Sequence, residues 1–419
     1  MRSLTGLFAL LLSASACASN VLGSDGFDLD AAPELTLSET IRIGDSDDPS
    51  IGFSQVRAVE VDRDGNVYVL DGREREIRVF DPRGQLVRRI GRRGSGPGEF
   101  EQVPRFGLWG DTVWAVEASR YRITLFERVS GNVIASALFS PVRVRLPPPR
   151  GGFAVISPME LRSDGTFASD MWGMTFSRDD PPTDLKEGDT VRIPRVRFAA
   201  SGNVLDTIGW DARPPIATGE AREVTSRGRR YYLPDPPSVG DRSAVLPDGR
   251  AFIDAPSASD RGSARFHLTR ISLTGDTVRR TAYRYTPTRF NDALLDSLAW
   301  RSARLPGGGI AIIDGVPQPP QLGADSADAF REIRAAMAFP PFQPPVLSFF
   351  RGKDDEILLR RENAGDNRQR WLVLRPDDSV RGMVTIPANA RIAWARGDAV
   401  WLIELDADDI PWVVRYSVR

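Results

Sequence analysis

The side chains that carry most metal and nucleophilic chemistry in proteins are almost missing from this sequence. Among 419 residues there is one cysteine, Cys17, and one histidine, His267. Zinc sites built from several Cys or His ligands, Cys–His nucleophile pairs and disulfide frameworks all need more of these residues. Any site in this protein must therefore use carboxylates, hydroxyls, arginines or backbone groups.

Arginine supplies nearly all of the positive charge. Of 55 basic residues only Lys186 and Lys353 are lysines, and they stand against 56 acidic residues. A guanidinium group binds an anion through two parallel hydrogen bonds, although a GC-rich genome that encodes arginine in place of lysine explains the same composition. Because the net charge is near zero, we expect no nucleic-acid partner.

One acidic segment, Asp62-Arg63-Asp64-Gly65-Asn66, places oxygen atoms at alternate positions as calcium-binding loops do. It lacks the later bidentate glutamate that completes such a loop. A hairpin turn whose Asp side chains cap backbone groups is the favoured interpretation. We therefore expect no cofactor, with calcium as the alternative at this segment. His267 lies in an alternating segment, 264–271, and is expected on an outer strand away from any site.

Short β-strands are the elements that would position these groups. Residues 59–91 alternate β-branched and polar side chains between Asp-Gly and Pro-Arg-Gly turns, which predicts four antiparallel strands in about forty residues. A weaker copy follows, so that the first turn recurs at Gly65 and Gly110. This spacing is typical of propeller blades. Further first turns are predicted at Asp164-Gly165, Asp248-Gly249, Asp354-Asp355 and Gly397-Asp398.

Six first turns predict an all-β fold, a six-bladed β-propeller of four-stranded antiparallel blades that forms a single domain over residues 34–419. A strand within 35–43 is expected to complete the last blade and close the ring. Residues 286–345 are predicted as a partly helical insertion, with helices at 290–303 and 324–338. Seven blades are the alternative, since 305–315 has the pattern of a blade's start. Six is preferred because no outer strands follow it.

Two stretches resemble NHL-type repeats: Asp62–Asp71 with Arg78–Asp81, and above all Ile90–Phe100, which reads Ile-Gly-Arg-Arg-Gly-Ser-Gly-Pro-Gly-Glu-Phe. The chain resembles the bacterial six-bladed β-propeller lipoproteins with NHL-like repeats, strongly over 53–140 and moderately over 345–419. This resemblance implies the fold but no single activity, because such propellers include binding scaffolds, sensor domains and lyase or lactonase relatives. The lactonase relatives imply a divalent cation held near the axis, for which Glu60 and Glu160 are the candidate carboxylates.

The first residues of the chain predict export. Arg2, an apolar stretch over 4–12 and the small residues 14–16 predict a signal peptide over residues 1–16. The small residues before Cys17 resemble a bacterial lipobox, which implies a lipid on that cysteine. Cleavage by ordinary signal peptidase is the alternative. Residues 17–33 are predicted as a tether. We expect a lipoprotein anchored in the periplasm or at the outer membrane, with the cell surface as a further location.

Ligands of propellers generally bind where the innermost strands face the central channel. We therefore predict a monomeric binding or scaffold module for an envelope protein, a peptide or a small anionic ligand. The alternative is a lactonase-like hydrolase with a carboxylate-bound divalent cation at the axis; its catalytic residues are unknown. The candidate ligand-binding residues are the polar members of the inner strands, an arginine-rich set: Gln55, Arg57, Glu60, Arg105, Glu160, Arg242, Arg351 and Arg391.

Overall fold

Six antiparallel sheets follow one another along the chain as six propeller blades. This computed structural model describes residues 26–45, 48, 51–102, 104–145, 153–162, 164–175, 191–213, 223–233, 243–246, 249–254, 264–272, 276–303, 312–313, 316–317, 326–339, 341–361 and 368–419. Within each blade, strands that are consecutive in the sequence are neighbours in the sheet. The predicted all-β, six-bladed propeller is therefore the fold of this chain.

Two short strands precede the first blade, and the first three blades lie between residues 56 and 213. The early strands are β1 (Phe27–Asp28) and β2 (Leu37–Ile43). Blade 1 consists of β3 (Val56–Val61), β4 (Val67–Asp71), β5 (Glu76–Phe80) and β6 (Leu86–Ile90). Blade 2 consists of β7 (Arg105–Trp109), β8 (Thr112–Glu117), β9 (Arg122–Glu127) and β10 (Val133–Leu138), and blade 3 of β11 (Val142–Arg145), β12 (Phe153–Leu161), β13 (Phe167–Thr175), β14 (Val191–Phe198) and β15 (Val204–Arg213).

The remaining blades alternate with inserted elements. A hairpin, β16 (Glu223–Ser226) and β17 (Arg229–Tyr232), precedes blade 4, which consists of β18 (Ser243–Leu246), β19 (Gly249–Asp254), β20 (Ala264–Ser272) and β21 (Thr277–Tyr285). Helix α1 (Asp292–Ala303), strands β22 (Ile312–Ile313) and β23 (Val316–Pro317) and helix α2 (Ser326–Ala336) follow. Blade 5 consists of β24 (Val346–Arg351), β25 (Ile357–Arg361), β26 (Arg368–Leu374) and β27 (Val380–Pro387), and blade 6 of β28 (Arg391–Arg396), β29 (Ala399–Leu405) and β30 (Pro411–Val418) together with β2.

The predicted first turns lie between the first two strands of their blades, except that Asp164-Gly165 joins β12 to β13 in blade 3, where the short strand β11 comes first. Asp248 itself lies outside the described residues. The turn between β3 and β4 shows the local cause. One carboxylate oxygen of Asp62 accepts the backbone N–H groups of Asp64 and Asn66, both at 2.9 Å, and Gly65 adopts a positive φ of 83°. An Asp side chain that caps the backbone and a glycine in the left-handed region together specify such a turn. These turns are readable from sequence because their causes are local.

The order of strands gives the central channel two different ends. The strand that carries the first turn enters from the preceding blade, or in blade 3 from the short strand β11, and it runs toward that turn, so the first turns lie at one end. We call this the turn end. The connections from the outer strand of one blade to the inner strand of the next lie at the other end, which we call the crossover end. A residue early in an inner strand is therefore near the crossover end, and a late one near the turn end.

The N-terminal segment runs along the outer edges of three blades. Strand β1 pairs in parallel with β21 of blade 4, the N–H of Leu35 donates to the carbonyl of Met383 in blade 5 at 2.7 Å, and β2 pairs antiparallel with β30 to complete blade 6. The predicted closing strand is thus present at Leu37–Ile43. Residues 26–33, predicted as the end of a tether, lie against the propeller because Leu29, 2% exposed, buries its apolar side chain there.

Two insertions pack together to form a cap. The predicted helices are present as α1 and α2, and they pack on the β16–β17 hairpin. Trp300 of α1 stacks on Phe330 of α2 with ring centroids 4.4 Å apart. Both insertions leave outer strands at the crossover end, so the cap lies at that end. No helix in the described part of the chain has the length and apolarity that a membrane crossing requires. The buried residues of the cap are Tyr231, Ala299, Ala303, Ala329 and Ile333.

Buried ion pairs join neighbouring blades at the turn end. Asp378, fully buried in the turn between β26 and β27, contacts Arg270 of blade 4 at 2.7 Å and Arg279 at 3.5 Å. Arg128 of blade 2 contacts Asp62 of blade 1 at 2.6 Å, and both side chains are almost fully buried. Because a buried charge is costly without its partner, these contacts hold the turns of adjacent blades in register.

Candidate functional site

The predicted channel residues divide into two groups. Glu60 is late in β3, Glu160 late in β12, and Arg351 is the last residue of β24, so these three lie at the turn end. The other candidates, Gln55, Arg57, Arg105 and Arg391, precede or begin inner strands at the crossover end. Arg57 and Glu60 are three residues apart, about 10 Å along an extended strand. The candidates therefore do not form one site.

At the turn end, two ion pairs extend from blade 5 across the channel. The Lys353 ammonium lies 2.9 Å from a carboxylate oxygen of Glu60 in blade 1. The Arg351 guanidinium lies 2.8 Å from Glu160 in blade 3. Lys353 is placed by its own backbone, since its N–H donates to Ala395 of blade 6 at 2.8 Å. Two carboxylates and two cations thus surround one region with no net charge.

Glu60 is the more enclosed of the two carboxylates. Its side chain is 17% exposed, against 44% for Glu160. Burial raises the pKa of the Glu60 carboxyl, and the nearby positive charge of Lys353 opposes that rise. The negative charge of Glu160 adds to it and that of Arg351 reduces it. All four groups are therefore close enough to influence one another.

These charged groups border a cavity of about 460 Å³. Its volume falls within the range of small-molecule sites. Part of the lining is apolar, and we call this part the apolar wall. Gly107 makes room for one part of that wall, because a Cβ at this position would lie 2.5 Å from the Trp114 ring. The other lining residues are Phe106, Leu108, Met159, Leu161, Ser348, Phe349 and Gly352.

At the crossover end, the Arg391 side chain reaches the backbone of Arg57. Arg391 donates to the backbone carbonyls of Val56 and Arg57 at 3.1 and 3.2 Å. The Arg57 side chain lies across Gly72, where a Cβ would come within 2.7 Å of its Cγ. Among the residues that the structure describes, none accepts a hydrogen bond from the Arg57 guanidinium or forms an ion pair with it. Gln55 and Arg105 are also exposed at this end.

The nearby carboxylates of blade 1 have other partners. Asp71 accepts the backbone N–H of Ser54 at 2.9 Å and that of Arg73 at 3.0 Å, and Glu74 accepts the Ser54 hydroxyl at 3.2 Å. Partial desolvation lowers the pKa of Arg391, and the positive charge of Arg57 lowers it further. The two arginines therefore repel each other at this end of the channel.

The residues proposed for a divalent cation do not fit one. Glu60 and Glu160 are each neutralised by a cationic side chain at 2.8 to 3.0 Å. The carboxylate of Asp62 in the calcium-like segment already accepts hydrogen bonds from Asp64, Asn66, Tyr68 and Arg128. Across the described ranges no group of three or more His, Cys, Asp or Glu side chains is arranged for a metal ion.

His267, singled out in the sequence, lies away from the channel. His267 is on β20, the third strand of blade 4 from the axis, with its Nδ1 3.4 Å from Arg280. Among the tryptophans of the strands, Trp114, Trp371, Trp394 and Trp401 are buried, whereas Trp109 is 40% exposed. Cys17, the signal segment 1–16 and Arg242 lie outside the described residues.

Sequence reasoning missed Lys353 and the apolar wall of the cavity. Lys353 had one available signal: it is one of two lysines in a chain whose other basic residues are arginines, and it immediately precedes a first turn. The apolar wall had no such signal in the sequence, since Phe106 and Phe349 have the pattern of ordinary strand residues. Only the ring arrangement brings them to the same cavity.

Comparison with protein-family models agrees with the fold. Residues 46–111 match the model of a family described as 6-bladed β-propeller. No curated protein matches the chain. Similar solved structures include a Bacteroides fragilis protein thought to be exported (10% identity, 94% of this chain and 99% of that chain, TM-score 0.44). Others are a DUF4221 family member from Bacteroides vulgatus (11%, 93% and 99%, 0.40) and virginiamycin B lyase from Staphylococcus aureus (9%, 91% and 99%, 0.34). At these identities and TM-scores the likenesses carry no argument about function.

Proposed function

We propose that this protein is an exported, lipid-anchored binding module that takes an anionic ligand at the crossover end of its propeller channel. The observation that carries the proposal is the pair Arg57 and Arg391. Arg391 donates to the backbone carbonyl of Arg57 and is influenced by the positive charge of that residue, and no described carboxylate pairs with Arg57. A bound anion would relieve their mutual repulsion and accept charge-assisted hydrogen bonds.

Arginine suits this role better than lysine. Its planar guanidinium presents several N–H donors in a fixed geometry that matches a carboxylate or a phosphate. Arg391 is partly held by the backbone carbonyls of Val56 and Arg57, so less freedom is lost when the anion binds. A small anion and the acidic segment of a peptide or envelope protein present the same groups, and the experiment separates them.

The test is calorimetric titration of the purified protein at low ionic strength with three probes: inorganic phosphate, malonate and a short oligoglutamate peptide. We expect binding of at least one probe. Arg57→Ala should weaken it about tenfold, because a hydrogen bond to a charged group is worth about 1.5–3 kcal/mol. Arg57→Lys should recover only part of the loss. Tighter binding of the peptide than of both small anions identifies a peptide or protein ligand.

Arg63→Ala is the matched control. Arg63 is 70% exposed and contacts Asp111 at the turn end, so its loss changes the net charge equally but leaves the crossover end intact. If Arg63→Ala weakens binding as much as Arg57→Ala does, the binding reflects net charge alone and the proposal is wrong. So would the failure of all three probes to bind.

Export and the lipid anchor belong to the same proposal. The pattern of residues 1–17 supports them, and Cys17 is the one cysteine available to carry a lipid. We expect the wild-type protein to incorporate labelled fatty acid and to sediment with membranes, and Cys17→Ser to do neither. A Cys17→Ser protein that is still acylated and membrane-bound would contradict this part of the proposal.

A further inference from the structure

We infer that the cavity at the turn end is a second binding site, and that it takes a zwitterionic ligand with an apolar side chain, of which a free α-amino acid is the simplest. The site consists of Glu60, Glu160, Arg351 and Lys353 with the apolar wall beside them. The inference goes beyond the anion site, which uses other residues at the opposite end of the channel, and each can fail without the other.

The charged groups retain capacity for a ligand. The Glu160 side chain is 44% exposed and that of Lys353 is 43% exposed, although each already contacts one protein partner. An ammonium group has three donors, and a carboxylate has two oxygens that each accept more than one hydrogen bond. A ligand ammonium therefore has an acceptor in Glu160, and a ligand carboxylate has a donor in Lys353.

The balance of charge selects the ligand class. A purely anionic ligand would meet Glu60 and Glu160 as well as the two cations, and a purely cationic ligand would meet Arg351 and Lys353. Like charges brought together in a partly enclosed site disfavour binding. A ligand that carries one charge of each sign can place each beside its opposite. The site is thus suited to a molecule that is neutral overall but charged at both groups.

The apolar wall gives such a ligand its side-chain pocket. Phe106, Leu108, Met159 and Phe349 face the same cavity as the ion pairs. Transfer of an apolar side chain from water to this wall is favourable because it removes apolar surface from water. A volume of about 460 Å³ accommodates an amino acid with a large side chain. We therefore expect phenylalanine to bind better than glycine.

The experiment is calorimetric titration of the purified full-length protein with L-phenylalanine, N-acetyl-L-phenylalanine and L-phenylalaninamide. The first derivative lacks the ammonium charge and the second lacks the carboxylate. We expect each to bind at least about tenfold more weakly than L-phenylalanine, since a charged hydrogen bond is lost in each. This comparison needs no variant, so it does not depend on how a mutant folds.

Two variants then assign the contacts. Glu160→Gln should weaken L-phenylalanine and L-phenylalaninamide but not the N-acetyl derivative. Lys353→Met should weaken L-phenylalanine and the N-acetyl derivative but not the amide. The control, Glu39→Gln, removes a carboxylate that pairs with Arg42 on the outer edge of blade 6 and should change nothing. The inference is wrong if L-phenylalanine does not bind at 10 mM, or if both derivatives bind as tightly as it does.

Discussion

At the turn end of the channel Glu60 and Glu160 each face a cation from blade 5, whereas at the crossover end Arg391 lies close to Arg57, which pairs with no described carboxylate. The same inner strands build both ends. The turns at one end are short and rich in Asp, and they interlock neighbouring blades through buried ion pairs. Two of the connections at the other end carry the cap. The difference teaches that the charges of the turn end are balanced within the protein, whereas those of the crossover end leave a positive excess for an anion.

The largest expected effect comes from removing a buried carboxylate at the turn end. Asp378→Ala leaves Arg270 and Arg279 without the acid that joins blade 5 to blade 4. We expect a loss of about 3–5 kcal/mol in the free energy of unfolding, measured by urea denaturation. Asp164→Ala, in a solvent-exposed turn of blade 3, should cost about 1 kcal/mol or less. Equal losses of unfolding free energy in the two variants would mean that the buried ion pair of Asp378 stabilises the protein no more than an exposed one.

A smaller effect separates the two ion pairs across the channel. Lys353→Met leaves the enclosed Glu60 without its partner and should cost about 1–2 kcal/mol at pH 8. Arg351→Met leaves Glu160, which is more exposed, and should cost less than about 1 kcal/mol. Urea denaturation of both variants measures the difference. A larger loss for Arg351→Met would show that exposure does not decide the importance of these pairs.

The loss caused by Lys353→Met should depend on pH. Burial already raises the pKa of Glu60 in the folded protein, and removal of Lys353 raises it further. Between the pKa of an unfolded glutamate, about 4.3, and the raised value, the folded state binds a proton that the unfolded state does not. Stability of the variant therefore falls as pH rises through this window. The loss should be smallest near pH 4 and largest at pH 8, and a loss independent of pH would contradict this account.

The smallest effect is expected at the crossover end. Because Arg57 makes no ion pair with a described residue and lies near Arg391, Arg57→Ala should change the free energy of unfolding by about 0.5 kcal/mol or less. Phosphate should raise the melting temperature of the wild type more than that of this variant, since an anion that binds only the folded state stabilises it. Thermal denaturation with and without phosphate measures this shift in both proteins. Equal shifts in melting temperature for the wild type and Arg57→Ala would mean that phosphate binds elsewhere.

The features predicted correctly from sequence have local causes. Gly65 and Asp62 specify a first turn through φ and a side-chain cap within five residues. The apolar spacing of Phe330 and Ile333 predicts a helix because both lie on one face of it. The end of the predicted tether, residues 26–33, has no such local cause. Leu29 gives no local sign that it will be buried against blade 4, because its neighbours there are far away in the chain.

The sequence by itself determined the number of blades, the closing strand, the insertion with its two helices and the exclusion of Cys- and His-based sites. Only the tertiary structure decided which charges meet. Glu60 and Lys353 are 293 residues apart, and Glu160 and Arg351 are 191 apart. The ring brings inner strands together whatever their separation in sequence, and period-two alternation leaves each residue's partner across the channel undetermined. The same polar pattern therefore yields a neutral cavity at one end and an exposed pair of arginines at the other.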